Sequence, residues 1–172
     1  MLSLAKCHSA EEVEQFAKGH TLVGSVKLDG LTCRLIYKDG ELIKAESRGN
    51  GTIGNIITDH VKQFLNIPLH INKEGTYVID GEALIKIDDF EELNKNGEYK
   101  TPRNLASGTL GSLDTSVVKD RKLYWYAWEV VEGDSDNSFY KRLLNAQNLG
   151  FNVVPCYNIT INEFNQLQTH IC

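Results

Sequence analysis

The stretch LTCRLIYKDGELIKAES, residues 31–47, decides the fold of this chain of 172 residues. Its two halves are rich in β-forming side chains, and the tetrapeptide Lys38-Asp39-Gly40-Glu41 separates them. An Asp-Gly pair accepts the positive φ angles that a tight hairpin requires. The stretch therefore predicts two neighbouring strands that pair antiparallel.

The sequence around this hairpin contains further strand and helix signals. Runs of β-forming residues predict strands at TLVGSVKL (21–28), TYVIDGEALI (76–85), KLYWYAW (122–128) and FNVVPCY (151–157). Capping patterns predict helix starts at Ser9 with Glu12, Asp88 with Glu91 and Thr160 with Glu163. Helix stops are predicted at Gly19 and Gly97, and a further helix is predicted from about Ser138 to Gly150. Together these signals predict the α+β class, with antiparallel β-sheets flanked by helices.

The composition is that of an ordinary globular protein, with 41% hydrophobic and 24% charged residues, and we expect one compact domain. The formal net charge is −5 and no block of like charges occurs. This excludes a polybasic nucleic-acid arm and a membrane-surface patch, so the chain alone should hold DNA weakly. No apolar run approaches the roughly 20 residues that span a bilayer, and nothing resembles a signal peptide. We therefore expect a cytoplasmic protein with no membrane partner.

The cysteines give no sign of a zinc site. Cys7, Cys33, Cys156 and Cys172 are far apart and form no CxxC pair. Isolated cysteines mostly behave as small core residues, so we expect buried, reduced thiols and no metal bound by them.

A glycine-rich stretch, SRGNGTIGNIITDHV (47–61), matches a dinucleotide-binding spacing through Gly49, Gly51 and Gly54. That motif requires a parallel βαβ unit, whereas the preceding strand comes from an antiparallel hairpin. A Rossmann oxidoreductase and a glycine-rich turn without a ligand are the two alternatives here, and Arg48 indicates an anion nearby. The stretch also predicts a helix with apolar residues at Ile53, Ile57 and Val61.

Two ionisable residues stand inside β-forming runs. Lys27, in GSVKLDGL (24–31), is either an edge lysine whose amine reaches water or a side chain aimed at a substrate. Glu82, in VIDGEALI (78–85), is either an outward-facing carboxylate or an ionised carboxylate that needs a hydrogen-bond donor or a cation within this run.

A third candidate is Arg103, in TPRNLASGTLGSLD (101–114). It stands at the predicted start of a small-residue helix, where backbone amides and positive potential suit a phosphate. The alternative is a surface arginine with a packed helix behind it.

Taken in order, KLDG, SRGNGTIG, DGEALI and TPRNLASGTLGSLD resemble the successive motifs of the adenylation domain of NAD-dependent DNA ligases. The segments MLSL and LYWYAW also resemble that family at the corresponding places, so the resemblance covers nearly the whole chain. It implies an ATP-grasp-like nucleotidyltransferase fold. It also implies an enzyme that seals nicks in duplex DNA, with NAD as the adenylate donor and Mg²⁺ as a cofactor.

The resemblance makes Lys27 the nucleophile that attacks the α-phosphorus of NAD, expels nicotinamide mononucleotide and keeps AMP as a lysyl phosphoramide. An amine attacks only when neutral, so neighbouring cations and desolvation must favour that form, while Mg²⁺ offsets phosphate charge. The residues that the resemblance assigns to nucleotide binding are Ser3, Leu4, Ser25, Leu28, Asp29, Gly30, Arg48, Glu82 and Arg103. Among them Glu82 resembles the ribose-binding glutamate, and Arg103 the arginine placed toward the phosphate or the DNA strand.

The chain departs from the family pattern at Ser25, where a glutamate usually faces the adenine, and at Asn50, where an acidic residue is usual. Gly111 stands where the family usually has an arginine, which removes one cation from the phosphate or DNA side. The departures at Ser25 and Gly111 support an alternative in which the chain is a catalytically impaired module that binds nucleotide or a partner.

We further expect residues 1–172 to be a single, partial adenylation domain. The family has a segment before MLSL that grips the nicotinamide mononucleotide half of NAD. It also has later lysine motifs, an OB-fold, and zinc, helix-hairpin-helix and BRCT modules, none of which matches here. The last predicted helix reaches Cys172 without a stop. We therefore expect poor reaction of this chain alone with NAD. The chain is either a fragment of a larger ligase or a split subunit, for which a second chain supplies the missing parts.

Overall fold

A computed structural model describes residues 7–47 and 54–159 of the chain. The chain divides into two compact units. The terminal unit comprises Met1–Val26 and Pro155–Cys172, and the central unit comprises Lys27–Val154.

The described residues contain both helices and strands, and runs of consecutive strands and of consecutive helices occur, as in the α+β class. The strands are β1 (Leu22–Ser25), β2 (Leu31–Lys38), β3 (Glu41–Ser47), β4 (Thr76–Leu84), β5 (Tyr124–Glu132) and β6 (Cys156–Ile159). The helices are α1 (Ala10–Ala17), α2 (Thr58–Val61), α3 (Ile87–Leu93), α4 (Pro102–Leu110), α5 (Val117–Asp120) and α6 (Phe139–Asn148). The predicted α+β class with antiparallel sheets is confirmed.

The central unit is built on a four-stranded antiparallel sheet in the order β3-β2-β4-β5. The predicted hairpin joins β2 to β3, and both turn residues have positive φ, 47° at Asp39 and 87° at Gly40. Because the strands of this sheet run antiparallel, the chain has no Rossmann βαβ unit in its described residues, and that interpretation of the glycine-rich stretch is wrong.

The two faces of this sheet differ in polarity because side chains alternate along each strand. On β2, the residues of the core face are buried and those of the other face are only partly so. The core face carries Cys33, Leu35 and Tyr37, and the other face, which we call the open face, carries Thr32 and Arg34.

Aromatic rings fill the centre of the core beneath this sheet. The ring of Phe151 lies 5.5 Å from that of Tyr37, 6.1 Å from Tyr77 and 6.0 Å from Trp125, measured between centroids. All four side chains are at most 2% exposed. A residue from the last segment of the central unit thus packs against strands β2, β4 and β5.

Several helix signals are confirmed. Ser9 caps α1 by accepting a hydrogen bond from the Glu12 amide at 3.3 Å, and Ser138 caps α6 in the same way. The predicted stop at Gly19 directly follows the cap of α1 and has a φ angle of 79°. The stop predicted at Gly97 is wrong, because α3 already ends at Leu93.

Two other helix signals are wrong in detail. Asp88 is not a cap, because α3 already begins at Ile87 and Lys86 is its N-cap. Among residues 54–61, the described end of the glycine-rich stretch, only Thr58–Val61 is helical, because Ile56 instead forms an isolated antiparallel bridge with Glu46 at the sheet edge. The helix predicted from Thr160 lies outside the described residues.

The terminal unit contains α1 and a two-stranded antiparallel sheet of β1 and β6. The predicted strand over residues 151–157 is displaced, since β6 begins only at Cys156. Pro155 has no N–H with which to continue a strand ladder, which accounts for the start at the next residue. In the described part of the chain, no helix has the length and apolar character needed to cross a membrane.

The cysteines only partly follow the expectation of buried thiols. Cys33 is buried, whereas Cys7 is exposed and Cys156 is half-buried. Burial raises the pKa of the Cys33 thiol, with smaller contributions from the charges of Glu82 and Asp80, so this thiol stays protonated at neutral pH. Cys172 lies outside the described residues.

Two buried tyrosines provide a matched test of the core. The Tyr37 hydroxyl donates a hydrogen bond of 2.7 Å to the Pro68 carbonyl, whereas the Tyr77 hydroxyl has no partner among the described residues. Tyr37→Phe should lower the free energy of unfolding by about 1 kcal/mol, and Tyr77→Phe should leave it unchanged or raise it slightly. Urea unfolding of both variants checks this, and equal losses would contradict it.

Candidate functional site

The open face of the central sheet carries a carboxylate near the end of β4. Glu82 pairs across the strands with Thr32 on β2 and with Tyr126 on β5, so these three residues share one face. The Thr32 hydroxyl donates to Glu82 Oε2 at 3.3 Å. The carboxylate is half-buried and is fixed by its neighbours on the sheet.

The KLDG segment lies in a turn rather than in a strand. The strand predicted over residues 21–28 ends at Ser25, and β2 starts at Leu31. Lys27 and Asp29 in this turn are exposed, and Leu28 is half-buried. The prediction that Lys27 lies within a strand is therefore wrong.

A close approach of two backbones explains this turn. Gly30 is buried, and a Cβ atom there would lie 2.2 Å from the Ala83 carbonyl oxygen and 3.0 Å from Glu82 Cγ. Any side chain at this position would push the turn away from β4. Gly30 thus brings the KLDG turn against the strand that carries Glu82.

Arg103 joins this cluster from the first turn of α4. The helix begins with Thr101 as N-cap, whose hydroxyl accepts from the Asn104 amide at 3.2 Å, and Pro102 follows it. Arg103 Nη1 donates to Asp29 Oδ1 at 2.8 Å. This ion pair connects the start of α4 to the KLDG turn. The side chains of Arg103 and Asp29 are both more than half exposed.

The electrostatics of Glu82 show that the charges of this cluster act on one another. Burial raises the pKa of the Glu82 carboxyl. The Thr32 hydroxyl, the Gly30 amide and the positive charges of Arg103 and Lys27 oppose this effect without cancelling it. The positive charges of Lys27 and Arg103 therefore favour the ionised form of this carboxylate.

A second ion pair stands beside Glu82 on the open face. Arg34 binds Asp80 in a bidentate manner, with Nε at 2.7 Å from Oδ1 and Nη2 at 2.8 Å from Oδ2. Asp80 is 2% exposed. This ion pair therefore joins strands β2 and β4 at the residue pair that lies two residues along each strand from Thr32 and Glu82.

The central unit brings together most of the residues that the sequence singled out. The members of this cluster are Lys27, Leu28, Asp29, Gly30, Glu82 and Arg103. Ser25 is at the end of β1 in the terminal unit. Ser3, Leu4, Arg48, Asn50, Gly49 and Gly51 lie outside the described residues.

Two neighbours of Glu82 were missed by the sequence reasoning. Thr32 and Tyr126 lie directly across from it on the flanking strands. Within LTCRL and LYWYAW both residues alternate with core residues, which indicates that they lie on the face opposite the core. Only the strand order and register show that this face is also the one that carries Glu82.

Gly30→Ala should disrupt this cluster, because the new methyl group would overlap the Ala83 carbonyl. We expect a loss of about 2 kcal/mol in the free energy of unfolding, or a displaced turn that weakens nucleotide binding. Gly108→Ala is the matched control, since a Cβ there meets its nearest atom, Tyr99 Cε1, at 3.4 Å within helix α4. Alanine in a helix interior should stabilise by about 0.5–1 kcal/mol. Thermal unfolding of both variants checks the contrast, and equal behaviour would contradict the close approach.

Comparison with known proteins gives a consistent result. The model of the family described as NAD-dependent DNA ligase adenylation domain matches residues 1–171. A DNA ligase of Ruminiclostridium cellulolyticum is 34% identical over 174 residues, which cover 96% of this chain and 26% of the relative. A DNA ligase of Lachnoclostridium phytofermentans is 38% identical over 90% of this chain and 25% of its own length. A DNA ligase of Mycoplasmopsis agalactiae is 32% identical over 99% of this chain and 28% of its own length. The chain spans about a quarter of the length of these relatives.

Proposed function

The chain belongs to the NAD-dependent DNA ligase adenylation domain family, and on that premise we propose that it forms the lysyl-AMP intermediate of nick sealing. The observation that carries the proposal is the cluster around Glu82. A half-buried carboxylate, an exposed lysine and an arginine are brought together by a glycine that leaves no room for a side chain. This arrangement suits a ligand with both hydroxyl groups and phosphates.

Each member of the cluster has a distinct proposed role. Glu82 accepts hydrogen bonds from the ribose hydroxyls of the AMP half of NAD, and Thr32 orients its carboxylate. Arg103 lies toward the α-phosphate or the DNA strand. Leu28, Asp29 and Gly30 shape the turn that presents Lys27 to the nucleotide.

The chemical step is a displacement at phosphorus. The neutral amine of Lys27 attacks the α-phosphorus and forms a P–N bond. The bond between that phosphorus and the bridging oxygen breaks, and nicotinamide mononucleotide leaves with the electron pair. The amine releases a proton, and AMP stays attached to the lysine.

Magnesium would lower the barrier to this step by offsetting negative charge on the phosphates. Within residues 7–47 and 54–159, no group of three His, Cys, Asp or Glu side chains could hold a metal ion. We propose that Mg²⁺ is held through phosphate oxygens of NAD and water, which is its usual mode in nucleotide enzymes.

Nicked duplex DNA is the proposed second substrate, bound through the complete ligase. The formal charge of −5 makes this chain a poor DNA-binding surface by itself. We propose that the parts corresponding to the rest of the relatives' length supply most of the DNA contacts. These parts are joined to this chain or carried by a second chain, and mixing the separate pieces in a nick-sealing assay tests whether they act together as separate chains.

At neutral pH, Glu82→Gln should raise the stability of the fold and lower the affinity for AMP. The raised pKa of Glu82 means that the folded state holds this proton more tightly than the unfolded state, so ionisation destabilises the fold as pH rises through its range. At neutral pH the glutamine variant should therefore unfold at higher denaturant concentration than the wild type, and the difference should vanish at about pH 3, below the ordinary pKa of glutamate. AMP affinity should fall at the same time. Unfolding at both pH values and calorimetry with AMP check this, and a variant less stable at neutral pH would contradict it.

The experiment that tests the proposed function is intact mass spectrometry after incubation with NAD and magnesium. We expect a mass increase of one AMP, located at Lys27 by peptide mapping, together with released nicotinamide mononucleotide. Addition of the remaining ligase segments should increase the yield. AMP binding without any adduct under both conditions would contradict the proposal and favour an impaired nucleotide-binding module.

A further inference from the structure

A cavity lies at the other end of the central sheet from Glu82. It has a volume of about 560 Å³, within the range of small-molecule sites. Tyr77 lines it from the start of β4, five residues before Glu82, which corresponds to about 17 Å along a strand. Tyr77 also lies on the core face, whereas Glu82 lies on the open face. The cavity is therefore separate from the proposed adenylation site and does not depend on it.

The walls of this cavity are fixed by hydrogen bonds. Asp134 Oδ2 accepts from Asn145 Nδ2 of α6 at 2.9 Å, and Asp134 Oδ1 accepts from the Asp136 amide at 2.9 Å. Arg142 Nη1 donates to the Asp136 carbonyl at 3.0 Å. Gly133, with φ of 94°, lies so close to β4 that a Cβ there would be 2.6 Å from the Thr76 carbonyl oxygen. A site formed before its ligand arrives loses little entropy on binding.

The lining groups both donate and accept hydrogen bonds and carry no net charge. Polar side chains that line the cavity include Asn72, Lys73, Asp134, Ser135, Asn145 and Asn148. The positive charge of Lys73 balances the negative charge of Asp134, so the cavity favours neither an anion nor a cation. Amides and hydroxyls suit a ligand whose own groups both donate and accept, as hydroxyl groups do.

Tyr77 adds an independent observation. Its side chain is 1% exposed and its ring stacks on Phe151 at an interplanar angle of 13°. Its hydroxyl is buried and has no hydrogen-bond partner among the described residues. A buried hydroxyl without a partner is costly, and phenylalanine would fill the same core position without that cost. A ligand in the adjoining cavity would provide the missing partner once a small movement of the cavity lining exposes this hydroxyl.

We propose that this cavity binds a neutral, polyhydroxylated ring of monosaccharide size, either a free sugar or the ribose of a nucleoside. The hydroxyls of the ring exchange hydrogen bonds with the amides of Asn145 and Asn148 and with the Tyr77 hydroxyl. Leu149 provides the apolar surface on which the face of the ring rests.

The test is a titration of the ¹⁵N-labelled full chain followed by two-dimensional NMR, with glucose, ribose, adenosine and inorganic phosphate as separate probes. We expect the side-chain amide signals of Asn145 and Asn148 to shift and saturate in the millimolar range or below with at least one hydroxylated probe. Saturation by glucose or ribose identifies a free sugar, and saturation by adenosine alone identifies a nucleoside. Phosphate should produce no saturable shift.

Variants make the assignment specific. Tyr77→Phe and the exposed Asn148→Ala should each weaken binding about fivefold, the effect of one hydrogen bond. Asn96→Ala, at an exposed residue outside the cavity, should leave the titration unchanged. No saturable shift with any hydroxylated probe at tens of millimolar would overturn the proposal. Saturation by phosphate, or equal affinity in all three variants, would also overturn it.

Discussion

Lys27→Ala is expected to abolish the AMP adduct that NAD forms with this chain. The variant lacks the amine that would form the P–N bond, and none of the other proposed site residues is a lysine. Because the Lys27 side chain is exposed, its removal should change the free energy of unfolding by no more than about 0.5 kcal/mol. Intact mass spectrometry with NAD and magnesium measures the loss, and circular dichroism confirms that the fold is kept.

Two further variants sharpen this result. Lys27→Arg keeps a positive charge near Glu82, but a guanidinium stays protonated and cannot attack phosphorus, so the adduct should again be absent. Lys119→Ala, at an exposed lysine in α5, should form the adduct as the wild type does. An adduct of normal yield in Lys27→Ala would show that another residue is the nucleophile.

Arg34→Ala is expected to cause the largest loss of stability among these variants, about 3 kcal/mol in the free energy of unfolding. Asp80 is 2% exposed and loses both of its hydrogen bonds, so a carboxylate remains in the sheet without a partner. Because the arginine itself is 41% exposed, we expect a loss of stability at the low end of the range for breaking a buried ion pair. Equilibrium unfolding in urea measures it.

The control for this prediction is an ion pair on the same face. Lys44 pairs with Glu46 on β3, and both side chains are at least one-third exposed, so Lys44→Ala should cost less than about 1 kcal/mol. The double variant Arg34→Met with Asp80→Leu removes both charges and should be more stable than Arg34→Ala alone. A double variant no more stable than the single one would contradict the role given to the unpaired carboxylate.

Local signals in the sequence were sufficient for the parts of the fold that local interactions determine. The Asp39-Gly40 turn requires only its own two residues, and it was predicted correctly. The Ser9 and Ser138 caps involve side chains within one helical turn. The end of β1 at Ser25 was missed, because the path of the chain through the next residues depends on the contact of Gly30 with Ala83, which is distant in sequence.

The candidate site shows the same difference between features that local sequence determines and features that depend on contacts distant in sequence. Each motif could be found in the sequence, yet no periodicity indicates that Arg103 pairs with Asp29, since more than seventy residues separate them. Family resemblance placed these residues in one site before their distances were known. Thr32 and Tyr126 stayed unnoticed because their relation to Glu82 is a matter of strand register.

The position of Phe151 has a consequence for how this protein emerges from the ribosome. Its ring contacts Tyr37, Tyr77 and Trp125, and roughly a hundred residues separate it from the first of these. The four-stranded sheet is therefore fully synthesised before the side chain that completes its core becomes available. During that interval the nascent chain exposes the aromatic surface that Phe151 later covers. Contacts between residues so far apart in the chain slow folding, so the central unit should reach its native packing only late in synthesis.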